Sequence, residues 1–278
     1  MKLVLAITIA VMVAELVGGW LANSLALMAD AGHMLTDAGA IALALFAAWI
    51  AERPPTAEKT YGYMRFEILA ALVNGTGLFV LAGFIVWHGV ERFVAPQVVE
   101  PRLMFGVATV GLIANAVALK ILHGGHDRSL NVRGAYLHVL GDLLGSIGAL
   151  TAGVVILTTG WMPADPITSI LIAILILGGA WRLVRESVDV LLEATPRHVS
   201  LKAVAASIAR IPDVRDVHDL HVWTLTSGVV AMSGHAVVAD PAQNQVVLET
   251  VQGRMAALGI HHVTMQIEDG KTECEAES

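Results

Sequence analysis

Two His-x-x-x-Asp segments, His33 to Asp37 and His138 to Asp142, lie inside apolar stretches of this 278-residue chain. On a helix, residues four apart share a face, with Cβ atoms about 5–6 Å apart. Each segment therefore offers one imidazole and one carboxylate in a single direction. Two such faces brought together supply two nitrogens and two oxygens, a donor set that encloses a tetrahedral Zn²⁺ at about 2.0–2.2 Å. Charge decides whether this is sensible in a bilayer, where a lone ionised Asp costs at least about 2.5 kcal/mol. Two Asp carboxylates and Zn²⁺ sum to zero, so the loaded quartet is neutral and the empty one needs another positive charge. Protons are the available source. Imidazole must be neutral and carboxylate ionised to ligate, so protonation and metal loading exclude one another. That competition is the chemistry of a metal/proton antiporter. One buried polar pair could serve only as a hydrogen bond between helices, at about 0.6 kcal/mol; two matching pairs on separate stretches are harder to explain so.

The elements that must hold these residues follow from composition. The chain is 56% hydrophobic and 15% charged, with a mean hydropathy of +0.69, more apolar surface than a soluble domain can hide. A hydrocarbon core about 30 Å thick requires about 20 apolar residues per helix. Six stretches meet that requirement, approximately residues 3–22, 26–50, 66–88, 102–122, 134–158 and 163–185. The first has the look of a signal peptide, but it lacks a clear cleavage site and leads straight into another span, so it reads as a retained helix near Met1. Lys2, Arg53, Lys59, Arg65, Lys120, Arg128, Arg133, Arg182 and Arg185 fall at one set of helix ends, against Arg92 and Arg102 at the other. Basic loops face the cytoplasm, which predicts a multi-pass protein of the inner (plasma) membrane with both termini cytoplasmic.

Beyond Arg185 the chain turns polar, and the expected division is a transport domain over 1–190, a second domain over 197–270 and an acidic tail over 271–278. Ser200 caps a predicted helix through about Ile211, which Pro212 stops. Val214–Thr226 and Val229–Asp240 read as strands joined by Ser227-Gly228, Val246–Leu258 as a helix, and His261–Glu268 as a third strand. The predicted fold class is thus a membrane α-helical protein of six transmembrane helices with a C-terminal α+β, ferredoxin-like (α-β-β-α-β) cytoplasmic domain. Residues 197–278 carry ten acidic against six basic side chains, which argues against nucleic acid as a partner. A single cysteine, Cys274, excludes an internal disulfide framework and suits a reducing compartment.

Further landmarks join the two motifs: Asn23-Ser24-Leu25-Ala26-Leu27, Asp30-Ala31-Gly32-His33-Met34-Leu35-Thr36-Asp37, Tyr61-Gly62-Tyr63 with Arg65 and Glu67, Leu137 to Asp142, Ala164-Asp165-Pro166, and His218-Asp219-Leu220-His221-Val222-Trp223. On these, over nearly the whole chain, the sequence resembles the cation diffusion facilitators, in their zinc-exporting branch. The resemblance implies a homodimer of six-helix protomers, each with a cytoplasmic metallochaperone-like domain, exchanging cytoplasmic Zn²⁺ for external H⁺ across the lipid bilayer. It implies that helices two and five carry the transport ligands His33, Asp37, His138 and Asp142. It also implies bound Zn²⁺ in the cytoplasmic domain, with His218, His235 and Glu268 at one site and His261 and Cys274 at an adjacent one. A membrane-surface site of some relatives uses Asp and His where this chain has Lys59 to Met64, and that site is expected to be absent. The usual His-rich loop shrinks to His123-Gly124-Gly125-His126-Asp127, read as a solvated Gly turn or a weak zinc capture.

Other residues keep two readings. Glu15 is a proton-pathway or a packing residue. Asp30 steers cations or hydrogen-bonds a neighbouring helix, and the role of His221 depends on an irregular strand. Asn74 and Asn115 read as helix-to-helix hydrogen bonds, while His88 and Asp165 are expected at the external interface with mild burial. Gly18, Gly19, Gly39, Gly141, Gly145, Gly148 and Gly153 are expected to let helices pack closely. An intramembrane zinc hydrolase would need an open coordination position and a general base, and four converging ligands leave no vacancy. A membrane zinc sensor would need an output that the short soluble domain does not display. The cargo alternatives are Co²⁺, Cd²⁺ and Ni²⁺, which ligand type separates poorly from Zn²⁺.

Overall fold

The computed structural model describes residues 2–51, 53–123 and 130–269; the side chains of residues 2–5, 40, 41, 44, 48, 51, 122, 123 and 130–138 lie outside that description. Six long helices come first: α1 (Lys2–Ala22), α2 (Leu25–Ala51), α3 (Phe66–Val94), α4 (Pro101–His123), α5 (Leu130–Thr159) and α6 (Ala164–Leu191). Their ends follow local chemistry. Asn23 takes a left-handed φ of 53° between α1 and α2, a conformation Asn tolerates better than most side chains. The Ser24 hydroxyl then accepts from Leu27 N at 3.3 Å, capping α2. Pro101 opens α4, where its missing N–H is no loss, and Gly160 at φ 70° follows α5. Among the described residues, four stretches are long and apolar enough to cross a membrane: Phe66–Val94, Pro101–Ile121, Val139–Thr159 and Ala164–Leu191.

The chain forms two compact units, one of Met1–Leu43 with Val73–Val184, the other of Ala44–Leu72 with Arg185–Ser278. The core of the first is built largely from small residues. Ala22, Ala26, Ala108, Ala149 and Ala152 surround Leu27, Met104 and Ile156 in one cluster; Ala29, Ala82, Ala173 and Ala180 alternate with Leu78, Ile85, Ile172 and Ile176 in another. Lipid removes the hydrophobic drive between helices, so close van der Waals approach through small residues must replace it. Gly18 and Gly145 show how close: a Cβ at Gly18 would stand 2.5 Å from Val107 Cγ2, and one at Gly145 2.5 Å from Asp30 Oδ1. Gly19, Gly148 and Gly153 also meet neighbours, whereas Gly39 and Gly141 have nothing within 4 Å among the described residues.

Asp165 departs from the expected mild burial: it is fully buried. Its carboxylate accepts from the Ser24 hydroxyl at 2.6 Å and from the N–H groups of Leu25 (2.9 Å) and Ala26 (3.2 Å). Arg92 approaches it at 3.8 Å while donating to the backbone and side-chain oxygens of Asn23. An anion at the first turn of α2 meets orphan N–H groups and the positive end of the helix dipole. The burial penalty is thereby offset.

The second unit contains α7 (Leu201–Ala209), β1 (Val214–Thr226), β2 (Val229–Val238), α8 (Asn244–Ala257) and β3 (Ile260–Glu268). Ser200 caps α7 by accepting from Ala203 N. β1 and β2 pair antiparallel through Ser227-Gly228, with Gly228 at φ 78°; β3 returns parallel to β2, giving the order β1-β2-β3. Val204 and Ile208 of α7 and Val247, Val251 and Met255 of α8 join Val222, Val230, Met232, Val238 and Ile260 in one core. Alternation along β2 sends Val230, Met232 and Val238 to this core, so His235 faces the other side of the sheet. At the start of α3, Glu67 accepts hydrogen bonds from the Thr226 and Ser227 hydroxyls of the hairpin turn.

Candidate metal centres

In α2, His33 Nε2 and Asp37 Oδ2 lie 3.5 Å apart on one helix face, with side chains 29% and 21% exposed. Asp142 in α5 is buried, 1% exposed. His138 stands one turn before it; its side chain lies outside the described ones. The described part of the quartet is therefore one facing His–Asp pair and one buried carboxylate.

The first unit also holds buried polar residues that the sequence offered only as separate residues. Glu15 on α1, Asp30 on α2, Asn115 on α4 and Ser146 on α5 are all buried. Asn115 Nδ2 donates to Ser146 Oγ at 3.2 Å. Gly111 leaves the space that Glu15 Oε1 occupies, and Gly145 the space for Asp30. Asp30 thus sits against the backbone of α5, and Asn115 makes the hydrogen bond between helices expected of it.

In the second unit, His218, His235 and Glu268 each offer a donor atom within 4.8 Å of the others, the one such trio of His, Cys, Asp or Glu among the described residues. β1/β2 register sets His218 opposite His235, and the parallel pairing of β3 sets Glu268 opposite Val237, two residues along the same face of β2. His218 Nε2 is 3.4 Å from Glu268 Oε2, and His235 Nδ1 is 2.9 Å from Glu268 Oε1. An ion bound at about 2.0–2.2 Å gives tetrahedral donor-to-donor edges of about 3.3–3.6 Å; the His218 and His235 spacings, each to its own Glu268 oxygen, lie near that range, so the trio could close on a divalent metal with small side-chain shifts. Glu268 is only 6% exposed, which keeps this carboxylate fixed. His261 is exposed near the start of β3 and outside the trio; Cys274 and the acidic tail lie outside the described residues.

Two carboxylates that sequence reasoning passed over, Asp216 and Asp219, flank the trio. Asp219 is held below the usual carboxylate range, first by its hydrogen bond with His221 and then by the nearby charges of His221, His235 and His218. The signal that could have found them is the doubled Asp-x-His step, 216–218 and 219–221.

Residues 1–192 match the family pattern described as "Cation efflux transmembrane domain". Residues 196–270 match "Cation efflux protein, cytoplasmic domain", a dimerisation module. The chain is 46% identical to the zinc transporter ZitB of Escherichia coli over 94% of its own length and 84% of that protein's. It is 40% identical to the cadmium, cobalt and zinc/H⁺-K⁺ antiporter of Bacillus subtilis, over 92% of this chain and 84% of that protein. To the metal cation efflux system protein CzcD of Cupriavidus metallidurans it is 44% identical, over 96% and 85%. A multi-pass helical membrane region ahead of a domain with a three-stranded sheet, and sequence matches along nearly all of its length, make this chain a member of the cation efflux family, whose proteins are transporters and not enzymes.

Proposed function

We propose that the chain exports Zn²⁺ from the cytoplasm in exchange for external H⁺, through His33, Asp37, His138 and Asp142. The observation that carries this reading is the His33–Asp37 pair, 3.5 Å apart on a predominantly apolar helix. A buried Asp142 supports it as the second carboxylate. With both Asp ionised, the two carboxylates cancel the charge of a divalent ion, which alone makes its passage through a low-dielectric interior tolerable. Discharge on the far side follows from protonation, because a protonated imidazole has no lone pair to give. The names of the relatives, a zinc transporter and an antiporter of metal against H⁺ and K⁺, point the same way.

In this reading six helices cross the inner membrane over residues 1–190, both termini are cytoplasmic, residues 197–270 form the cytoplasmic dimerising domain, and two copies of the chain assemble. His218, His235 and Glu268 hold Zn²⁺ there, supported by donor spacings close to tetrahedral edges; a further pair, His261 with Cys274, belongs to the same proposal. A cargo mainly of Cd²⁺ or Co²⁺ is the second reading, favoured by the name of the Bacillus relative. The test is metal uptake into vesicles holding purified protein, with Zn²⁺, Cd²⁺, Co²⁺ and Ni²⁺ offered separately. Uptake of Zn²⁺ that Asp37→Ala removes is expected; uptake that survives this change would reject the quartet.

A further inference from the structure

The doubled Asp-x-His step of β1 reads Asp216-Val217-His218 and then Asp219-Leu220-His221. Residues two apart in a strand share a face, so each Asp lies beside the His that follows it. Asp216 Oδ2 is 3.2 Å from His218 Nδ1, and Asp219 Oδ1 is 2.9 Å from His221 Nε2. The two steps are offset by three residues, which in a regular strand would send them to opposite faces. The strand is not regular: pairing passes from His218↔His235 to His221↔Ser233 with a shift between them, and Asp219 takes a left-handed φ of 47°. Bulges re-aim side chains in this way. Here the result is that the second oxygen of Asp219 lies 3.6 Å from His235 Nε2, on the neighbouring strand.

His235 is thus held between two carboxylates, with Nδ1 toward Glu268 at 2.9 Å and Nε2 toward Asp219. His218 repeats the arrangement, with Nε2 toward Glu268 and Nδ1 toward Asp216. In each ring one nitrogen faces the trio's centre and the other faces an outer carboxylate. Histidines that ligate metals donate their second N–H to such groups, which fixes the tautomer and makes the ligating nitrogen more basic.

We propose that Asp219 is a positioning residue for metal binding by the trio, accepting the Nε2 proton of His235 so that Nδ1 keeps its lone pair for the ion, with His221 anchoring the other Asp219 oxygen. The inference rests on His218, His235 and Glu268 being metal ligands. At 3.6 Å the Asp219–His235 approach is an ion-pair distance and not a hydrogen bond. A divalent ion on Nδ1 would make the Nε2 proton a stronger donor and close the gap. His221 then belongs to the site without touching metal, and the chain His221–Asp219–His235 explains why the strand accepts a left-handed aspartate at this position.

The experiment uses full-length protein in detergent, with Asp37→Ala and Asp142→Ala removing the membrane quartet, titrated with Co²⁺ and read by its visible d–d absorption. Adding His235→Ala should abolish the signal of the cytoplasmic site. Asp219→Asn should weaken Co²⁺ binding about 10- to 100-fold and shift the band, Asp219→Glu should recover part of the loss, and His221→Ala should weaken binding by a smaller factor. Metal-free melting of each variant separates a ligand effect from misfolding, and His221→Ala decides should Asp219→Asn fail to fold. Unchanged affinity and spectrum in both Asp219→Asn and His221→Ala, with the signal lost in His235→Ala, would overturn the positioning role and leave the trio standing. A signal that His235→Ala leaves unchanged would overturn the trio and the positioning role together.

Discussion

The two candidate metal centres use the same donors in opposite settings. In the proposed transport quartet two carboxylates would meet a divalent ion, for a net charge of zero; in the proposed sheet site, His218, His235 and Glu268 would bring one, for a net charge of +1. The difference tracks the surroundings. An uncompensated charge in lipid costs about 2.5 kcal/mol or more, whereas a half-exposed sheet face tolerates it and supplies Asp216 and Asp219 behind the histidines. Neutrality suits an ion that must pass. Outer carboxylates suit an ion that stays.

The largest effect is expected at Asp142. Asp142→Ala leaves the loaded quartet charged as well as one donor short, and the charge alone, at about 2.5 kcal/mol, amounts to roughly a hundredfold; zinc flux in vesicles should fall to background. Retained flux would erase the distinction between the two centres.

Asp165 comes next, as a buried anion that carries structure and no metal. Asp165→Ala strands the Ser24 hydroxyl, the N–H groups of Leu25 and Ala26, and the mostly buried Arg92. A loss of about 3–5 kcal/mol is expected, read as a drop in Tm in detergent.

The sheet site is expected to stabilise the protein only when loaded. Zinc at a hundred times its Kd should add about 2.7 kcal/mol to the wild type and nothing attributable to this site in His235→Ala, measured by melting in the Asp37→Ala, Asp142→Ala background. Equal zinc shifts in both would remove the trio from the account.

Packing around the membrane centre predicts a smaller change. Gly145→Ala drives a methyl into Asp30 and should cost about 1–3 kcal/mol, whereas Gly39→Ala, with nothing within 4 Å among the described residues, should be neutral or gain up to about 1 kcal/mol of helix propensity.

The smallest effect is at Asp219. Its carboxyl is held below the usual range, so its stabilisation is present above the ordinary Asp value of about 3.9 and is lost as pH falls through the lowered one. The Tm difference between wild type and Asp219→Asn should therefore narrow as pH drops below about 4. A constant difference would show that the charge of Asp219 is not what matters.

Legibility followed sequence distance. The i, i+4 spacing of His33 and Asp37 is local and visible in the chain itself, as were the six helical stretches and the α-β-β-α-β order, because hydrophobic runs and turn residues encode them directly. The trio was nameable only by resemblance, since strand register brings its three members together. The aim of Asp219 was invisible, because it depends on a bulge that no periodicity reports. Asp165 misled for a related reason: an acid near a helix start looks exposed until the first turn of another helix is folded onto it. Gly39 and Gly141 show the converse, small residues on apolar helices with no neighbour within 4 Å among the described residues.

Exchange of metal for protons through the proposed quartet can be read directly. Vesicles carrying a trapped zinc dye and a trapped pH dye, holding wild type or Asp37→Ala, would receive a zinc pulse with and without an imposed proton gradient. Zinc entry with simultaneous proton exit, driven faster by the gradient and absent in Asp37→Ala, is the expected result. Zinc entry with no change in internal pH, or equal traces for both proteins, would contradict it.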